Sequence, residues 1–310
     1  MTTTPQALSA VRTKDALAAK TALARRPRRF RTSNVLIMGF LFVISIYFLL
    51  PVYWMVISST KTSGDLFGSN GLWFASNFNL FNNLSNVFTY NGGAYGLWLL
   101  NSFIYSGVSA TTGTLFSAMA GYALAKFVFR GRNLIFSIIL GAILVPAPAL
   151  VLPLYLLMSG LNLTNTYWAI ILPSIVSPFG VYLSRIYAQG SVPDALLDAA
   201  RVDGAGEFRT FWSVVLRIMA PALVTVFLFQ FVAVWTNFFL QYVMVSDPNL
   251  YPVTVGLQTW NTAYTSGGAQ QYVYSLIVTG SLLSVLPLVT GFLLLQRYWR
   301  NGLTLGSVVG

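Results

Sequence analysis

The residues best suited to chemistry are crowded into one stretch, PDALLDAARVDGAGEFRTFW at 193–212. It holds four of the seven acidic residues, Asp194, Asp198, Asp203 and Glu207, with Arg201, Arg209 and a Gly204-Ala205-Gly206 break. Such a density of carboxylates invites an acid–base reading, but the rest of the chain argues against it. There is no His and no Cys, hence no imidazole base, no thiol and few soft-metal ligands. Asp15, Asp65 and Asp247, the other acids, lie outside the long apolar segments, so no carboxylate pair is buried for hydrolysis. No catalytic residue, no metal site and no cofactor bound by this chain is expected. Charges on a short solvated segment are instead suited to holding another protein; an amphipathic connector lying on lipid is the competing reading, weakened by its acidity beside an anionic leaflet.

A second set of polar groups sits within apolar sequence. Gln230 and Asn237 are seven apart and so share a helix face, with Trp235 and Thr236 beside the second. With Asn101 they form the candidate lining of a path for a neutral polar solute such as a sugar, whose hydroxyls need donors and acceptors. The same amides serve equally well as interhelical hydrogen bonds. Pro146, Pro148 and Pro153 in VPAPALVLP predict a bent or opened helix, because each proline removes a donor and clashes one turn back. Ser109, Gly113, Ser117 and Gly121, spaced by four, predict a smooth face for close packing, within the chain in preference to a dimer.

The elements that must carry these groups are membrane spans. The 310 residues are 56 % apolar and 8 % charged, against about one-quarter charged in soluble domains. Six segments are long and apolar enough to cross a bilayer, near 34–57, 98–124, 134–157, 167–185, 215–240 and 273–295. The fold expected is an all-α integral membrane protein. The first segment is too long for a signal-peptide core and reads as a retained span. Of 18 basic residues, 17 fall on one side of this arrangement, and Lys61 alone on the other. That bias places both termini and the acidic loop in the cytoplasm and accounts for the net charge of +11 without nucleic acid.

Residues 1–33 form a basic tail, helix-compatible at TKDALAAKTALA and then RRPRRFR, suited to an anionic lipid surface. Residues 34–300 form the transmembrane domain and 301–310 a second cytoplasmic tail. In the acidic loop, at about 190–217, Pro193 and Asp194 suit a helix start, with Leu196, Leu197 and Ala200 along one side. Gly204 and Gly206 mark a break, and a second helical piece runs from Glu207 toward the fifth span.

The string DAARVDGAGEF, followed by VVLRIMAPAL, resembles the EAA loop of binding-protein-dependent ABC importer permeases. Asp198, Ala199 and Ala200 stand at the family's acid-Ala-Ala, and Asp203, Gly204 and Ala205 at its common DGA form. NSFIYSG at 101–107, AGYALAKFVFRGR at 120–132, PLYLL at 153–157 and QRYWRNGL at 296–303 extend the similarity over nearly all of the chain beyond the tail. Their order is similar to the carbohydrate-type permeases of the maltose-transporter G-subunit class. Differences are Asp198 for the usual Glu, Leu216-Arg217 for a trailing Leu-Pro, Trp235-Thr236-Asn237 for a Trp-Asn-acid pattern, and a GSVVG ending without the common lysine.

The resemblance implies the six-span type I importer (MetI-like) permease fold in a bacterial inner membrane. It implies four kinds of partner: a second homologous permease, two ABC ATPase subunits or domains that bind ATP and Mg, an extracytoplasmic, lipid-anchored binding protein, and a carbohydrate. No Walker A pattern occurs, so the chain itself is not expected to hydrolyse ATP. A permease for a phosphorylated glycerol, a sodium-coupled secondary transporter and a non-transporting assembly subunit are the competing readings. A proton-driven pump is disfavoured because no ionisable relay lies within the spans.

Overall fold

The computed structural model describes residues 32–267 and 272–304. The expectations for the basic tail up to Arg31 and for the ending at 305–310 fall outside the described residues. Everything regular among the described residues is helical, as a bilayer requires of a chain that does not close a barrel.

Two compact units divide at Val52 and Tyr53. Helix α1, Thr32–Ser59, carries the described part of the first. From Val35 to Val52 its side chains, apolar on all sides, are exposed almost throughout, which suits a helix surrounded by lipid.

The second unit is organised on α4, Ala94–Lys126, 33 residues and about 50 Å long. Before it come α2, Ser63–Gly68, and α3, Leu80–Thr89. After it follow α5, Arg132–Ile143; α6, Val151–Gly160; α7, Tyr167–Ile175; and α8, Pro178–Ser191. Next are α9, Asp194–Val202; α10, Glu207–Trp235; α11, Phe238–Met244; α12, Val253–Thr265; and α13, Val273–Thr304.

The small residues of α4 explain its central place. A Cβ on Gly113 would come within 2.8 Å of the Ile175 carbonyl oxygen, and one on Gly121 within 2.7 Å of the Arg185 nitrogen. From the other side, a Cβ on Gly180 would meet Ser117 Oγ at 2.6 Å. The fourfold spacing is therefore a seam inside the chain, where α7 and α8 approach α4 backbone to backbone.

Among the described residues, four helices are long and apolar enough to span a membrane: Val35–Ser59, Tyr167–Ser191, Glu207–Trp235 and Val273–Gln296. The pair Arg132–Ile143 and Ala147–Gly160 makes a fifth if counted as one span, although it bends by 103°. Helix α4 has the length for the sixth; its buried face of Ser, Asn and Thr lowers its apolarity because those residues pack against other helices, away from lipid.

Three expected spans are not single helices. The third breaks at 144–146, where Pro146 is extended (φ −63°, ψ 124°). The fourth breaks at 176–177, before Pro178. The fifth stops at Trp235, and α11 begins after Asn237, whose side-chain oxygen caps the Leu240 N–H at 3.4 Å. Gln230 and Asn237 therefore do not lie on one continuous helix, which corrects the face argument made from their spacing.

At the end opposite Lys126, loops are tied to helices by buried side chains. Asn101 donates to the carbonyls of Asn249 (2.8 Å) and Tyr251 (3.0 Å) and accepts from Tyr167 (2.8 Å). Lys61 is buried, with its ammonium on Ser69 Oγ and the Asn70 carbonyl. Asn83 bridges the Ser59 and Lys61 carbonyls at 2.8 Å each.

Candidate functional site

The first candidate site is the helical hairpin formed by α9 and the start of α10. Pro193 opens α9 where a missing N–H is harmless, and Asp194 stands in the first turn. Asp194 also accepts a 2.7 Å ion pair from Lys126, the last residue of α4. Leu197, 3 % exposed, inserts into a core with Tyr122, Val192, Phe211 and Val215. Burying such a side chain contributes about 2 kcal/mol. Leu196 and Ala200, expected with Leu197 along one side, are respectively exposed and half-buried.

The turn has defined hydrogen bonding. Ala205 N–H donates to the Ala200 carbonyl at 2.9 Å and Gly204 N–H to that of Arg201 at 3.0 Å. Gly204 has φ +77°. This is a Schellman ending, which needs a residue in the left-handed region at the position Gly204 holds. Asp203 closes the helix through its own N–H to the Ala199 carbonyl. Arg201 then braces the two arms, with Nε 3.0 Å from Glu207 and Nη1 3.0 Å from Asp198. Glu207 first, and Asp198 after it, raise the Arg201 pKa above its ordinary value. Apolar side chains stand uncovered among these charges: Val202 is 87 % and Phe208 68 % exposed, with Leu196 and Trp212 also exposed. The second arm continues without interruption into α10 through one wide π turn at Phe211–Val215. Arg217, one turn further, is exposed.

The second candidate site is a cavity of about 260 Å³ lined where three helices break. Val145 and Ala147 come from the 103° bend, Ser174 and Pro178 from the second break, and Gln230 and Asn237 from either side of the third. Its polar groups are amides, a hydroxyl and backbone; no charged side chain lines it. Gln230 is already committed. Its amide donates to the Ser174 carbonyl, in the last turn of α7, whose carbonyls lose their helix partners at the 176–177 break. A side chain 56 positions away thus replaces a lost helix bond.

The other expected lining residues stand elsewhere. Trp235 is buried in an aromatic cluster, 5.0 Å from Phe103 and 5.6 Å from Phe231 between ring centres. Thr236 returns its hydroxyl to the Val232 carbonyl at 2.8 Å. Asn101 holds the 248–251 loop. Pro146, Pro148 and Pro153 are absent from the cavity wall, while their neighbours Val145, Ala147 and Leu154 line it.

Reading the sequence missed Gln241, which is buried and donates to the Val234 carbonyl at 2.7 Å near the end of α10 while accepting from Thr254 at 3.1 Å. It also missed the bracing role of Arg201; the opposite charges at 198, 201 and 207 were its only signal. Among the described residues, no group of three His, Cys, Asp or Glu stands together to hold a metal.

Residues 113–301 match the family described as binding-protein-dependent transport system inner membrane component. Among curated proteins, the chain is 36 % identical over 280 residues to the arabinooligosaccharides transport system permease protein AraQ of Halalkalibacterium halodurans, covering 90 % of this chain and 97 % of that one. AraQ of Bacillus subtilis is 33 % identical over 291 residues, 93 % and 100 % of the two chains. The lactose transport system permease protein LacG of Rhizobium radiobacter is 29 % identical, over 83 % and 90 %. The fold is similar to a chain in the crystal structure of a bacterial ABC transporter involved in import of the acidic polysaccharide alginate. The TM-score is 0.75 at 20 % identity, covering 88 % of this chain and 98 % of that one.

Proposed function

The chain belongs to the binding-protein-dependent transport system inner membrane components, and on that premise we propose that it is a permease subunit of an ATP-driven sugar importer, coupled through the 193–206 hairpin to an ATPase. The hairpin carries the coupling assignment: exposed apolar Leu196, Val202 and Phe208 stand on a hairpin pinned from behind by Leu197 and the Lys126–Asp194 pair. A surface both uncovered and immobilised is suited to receiving force from a docked protein. Asp198, Ala199, Ala200, Asp203, Gly204 and Ala205 form the docking turn.

In this reading the basic residues set the hairpin and both termini in the cytoplasm. Two ATPase subunits bind ATP and Mg, a second permease completes the pathway, and a lipid-anchored extracytoplasmic protein delivers cargo. Closure of the ATPases pulls α9 and α10, and α10 carries the motion to the cavity at the helix breaks. Relatives named for arabinooligosaccharides and lactose support a carbohydrate. A relative in Yersinia pestis is named for sn-glycerol-3-phosphate; the uncharged cavity wall favours the neutral sugar here.

Co-purification of the tagged chain in mild detergent tests the assembly, and uptake of labelled sugars by proteoliposomes of the recovered complex tests the cargo. The expected outcome is recovery of a second permease, an ATPase and a binding protein, with uptake dependent on ATP. Transport by the chain alone without ATP overturns the proposal.

A further inference from the structure

Among the described residues, Arg132 and Arg185, near the Lys126 end, have no ion-pair partner. Arg132 is the first residue of α5, and Phe136 follows it one turn later on the same face. The Arg185 guanidinium, from α8, lies 3.6 Å over the Phe136 ring, and Tyr182 of the same helix is stacked with that ring at 6.3 Å between centres. Both arginines thus meet at one α5–α8 junction. Neither is fully exposed. Arg185 makes no hydrogen bond among the described residues, and Arg132 makes one, to the Ala125 carbonyl at 3.3 Å; the Nε of each is buried and unbonded.

Of the four acids of the hairpin, three are already paired, and Asp203 makes no ion pair with either arginine among the described residues. Lys126 takes Asp194, and Arg201 takes Asp198 and Glu207. The first turn of α5 holds no acidic residue, so its helix N-terminus, positive by its dipole, adds to the two guanidinium charges rather than offsetting them. Partly buried charges without partners are unfavourable unless something outside the chain neutralises them. The surface that continues from this point along α5 is exposed and apolar, with Leu134, Ile135 and Ile138 uncovered.

We propose that Arg132 and Arg185, with the first turn of α5, bind the phosphate of an anionic phospholipid headgroup whose acyl chains lie along Leu134 and Ile138. The chemistry is phosphate recognition: the outer guanidinium edges donate to phosphate oxygens, and the aromatic stack holds Arg185 in place. Basic pockets between transmembrane helices recognise such headgroups. The site does not depend on the cargo or on ATP coupling.

The test uses the full chain in nanodiscs of phosphatidylcholine containing spin-labelled phosphatidylglycerol, reading the immobilised lipid fraction. Wild type is expected to retain phosphatidylglycerol over phosphatidylcholine, and Arg132→Gln and Arg185→Gln each to weaken retention by about fivefold. Arg217→Gln, at an exposed arginine of the same end, leaves it unchanged. Equal retention by wild type and both variants overturns the site. Absence of any preference in wild type overturns it without recourse to a variant. Phosphorus-31 broadening by inorganic phosphate in phosphatidylcholine-only discs, arginine-dependent and without retention of phosphatidylglycerol, overturns the lipid as its source.

Discussion

The 193–206 hairpin and the breaks at 176–177 and 236–237 all interrupt helix, yet they satisfy the freed backbone by opposite means. The hairpin does so locally, with Gly204 and Ala205 bonding back onto α9 and Arg201 joining acids three positions before and six after it. The breaks borrow from a distance: Gln230 reaches the Ser174 carbonyl from another helix, and Gln241 reaches back to Val234. Water around the hairpin can compensate a lost bond there. Inside the bundle the borrowed amides hold the carbonyls directly, Gln230 at the wall of the cavity and Gln241 buried.

That contrast ranks the effects of mutation. Gly204→Leu is expected to act most strongly, because a left-handed backbone with a branched side chain costs about 1–3 kcal/mol. The new side chain also projects from the proposed docking surface. Recovery of the ATPase with the tagged chain should fall by more than about tenfold, with membrane insertion retained; unchanged recovery and uptake break the comparison.

Gln230→Leu should come next. It strands the Ser174 carbonyl at a cost of about 1–3 kcal/mol, read as a lower thermal midpoint for the purified complex. Pro178→Ala sharpens this test, because residue 178 begins a new helix after non-helical Val176 and Ser177 and its N–H is not placed on that carbonyl. The Gln230→Leu penalty should stay the same in the Pro178→Ala background, and a penalty reduced by half would falsify the break as what frees the carbonyl.

Asn237→Ala removes the cap of α11 and is expected to cost about 1 kcal/mol, again visible in the thermal midpoint. Arg201→Gln is the mildest. An exposed brace is screened by salt, so a change of about twofold in ATP-dependent uptake is expected, disappearing at 0.5 M salt (roughly a 4 Å screening length). A large loss independent of salt would mean that the brace is rigid structure rather than a solvated pair.

The same contrast decided what could be read from the residues alone. Pro193, Asp194 and Gly204 announce a helix start and stop by local rules, and VPAPALVLP announces a break. The stop at Trp235 had no such sign: Thr236 and Asn237 are neither proline nor glycine, and apolar sequence runs on beyond them. Gln230 reads as path lining or as a helix tie, and only the break at 176–177 set against it decides which bond it makes. Trp235 looked available beside a polar pair because nothing in its neighbourhood reveals Phe103. Asn101 likewise gave no hint of a loop 148 residues later.

The glycine seam between α4 and α8 has a mechanical consequence. With Gly121 against the backbone of Arg185 and Gly180 against Ser117, only small serine side chains remain between the helices to be compressed. Helix α8 passes through buried Val192 directly into α9, which Lys126 ties back to the end of α4. A push on the hairpin therefore meets a linkage without backlash, in which displacement at α9 is carried into the bundle as movement of whole helices.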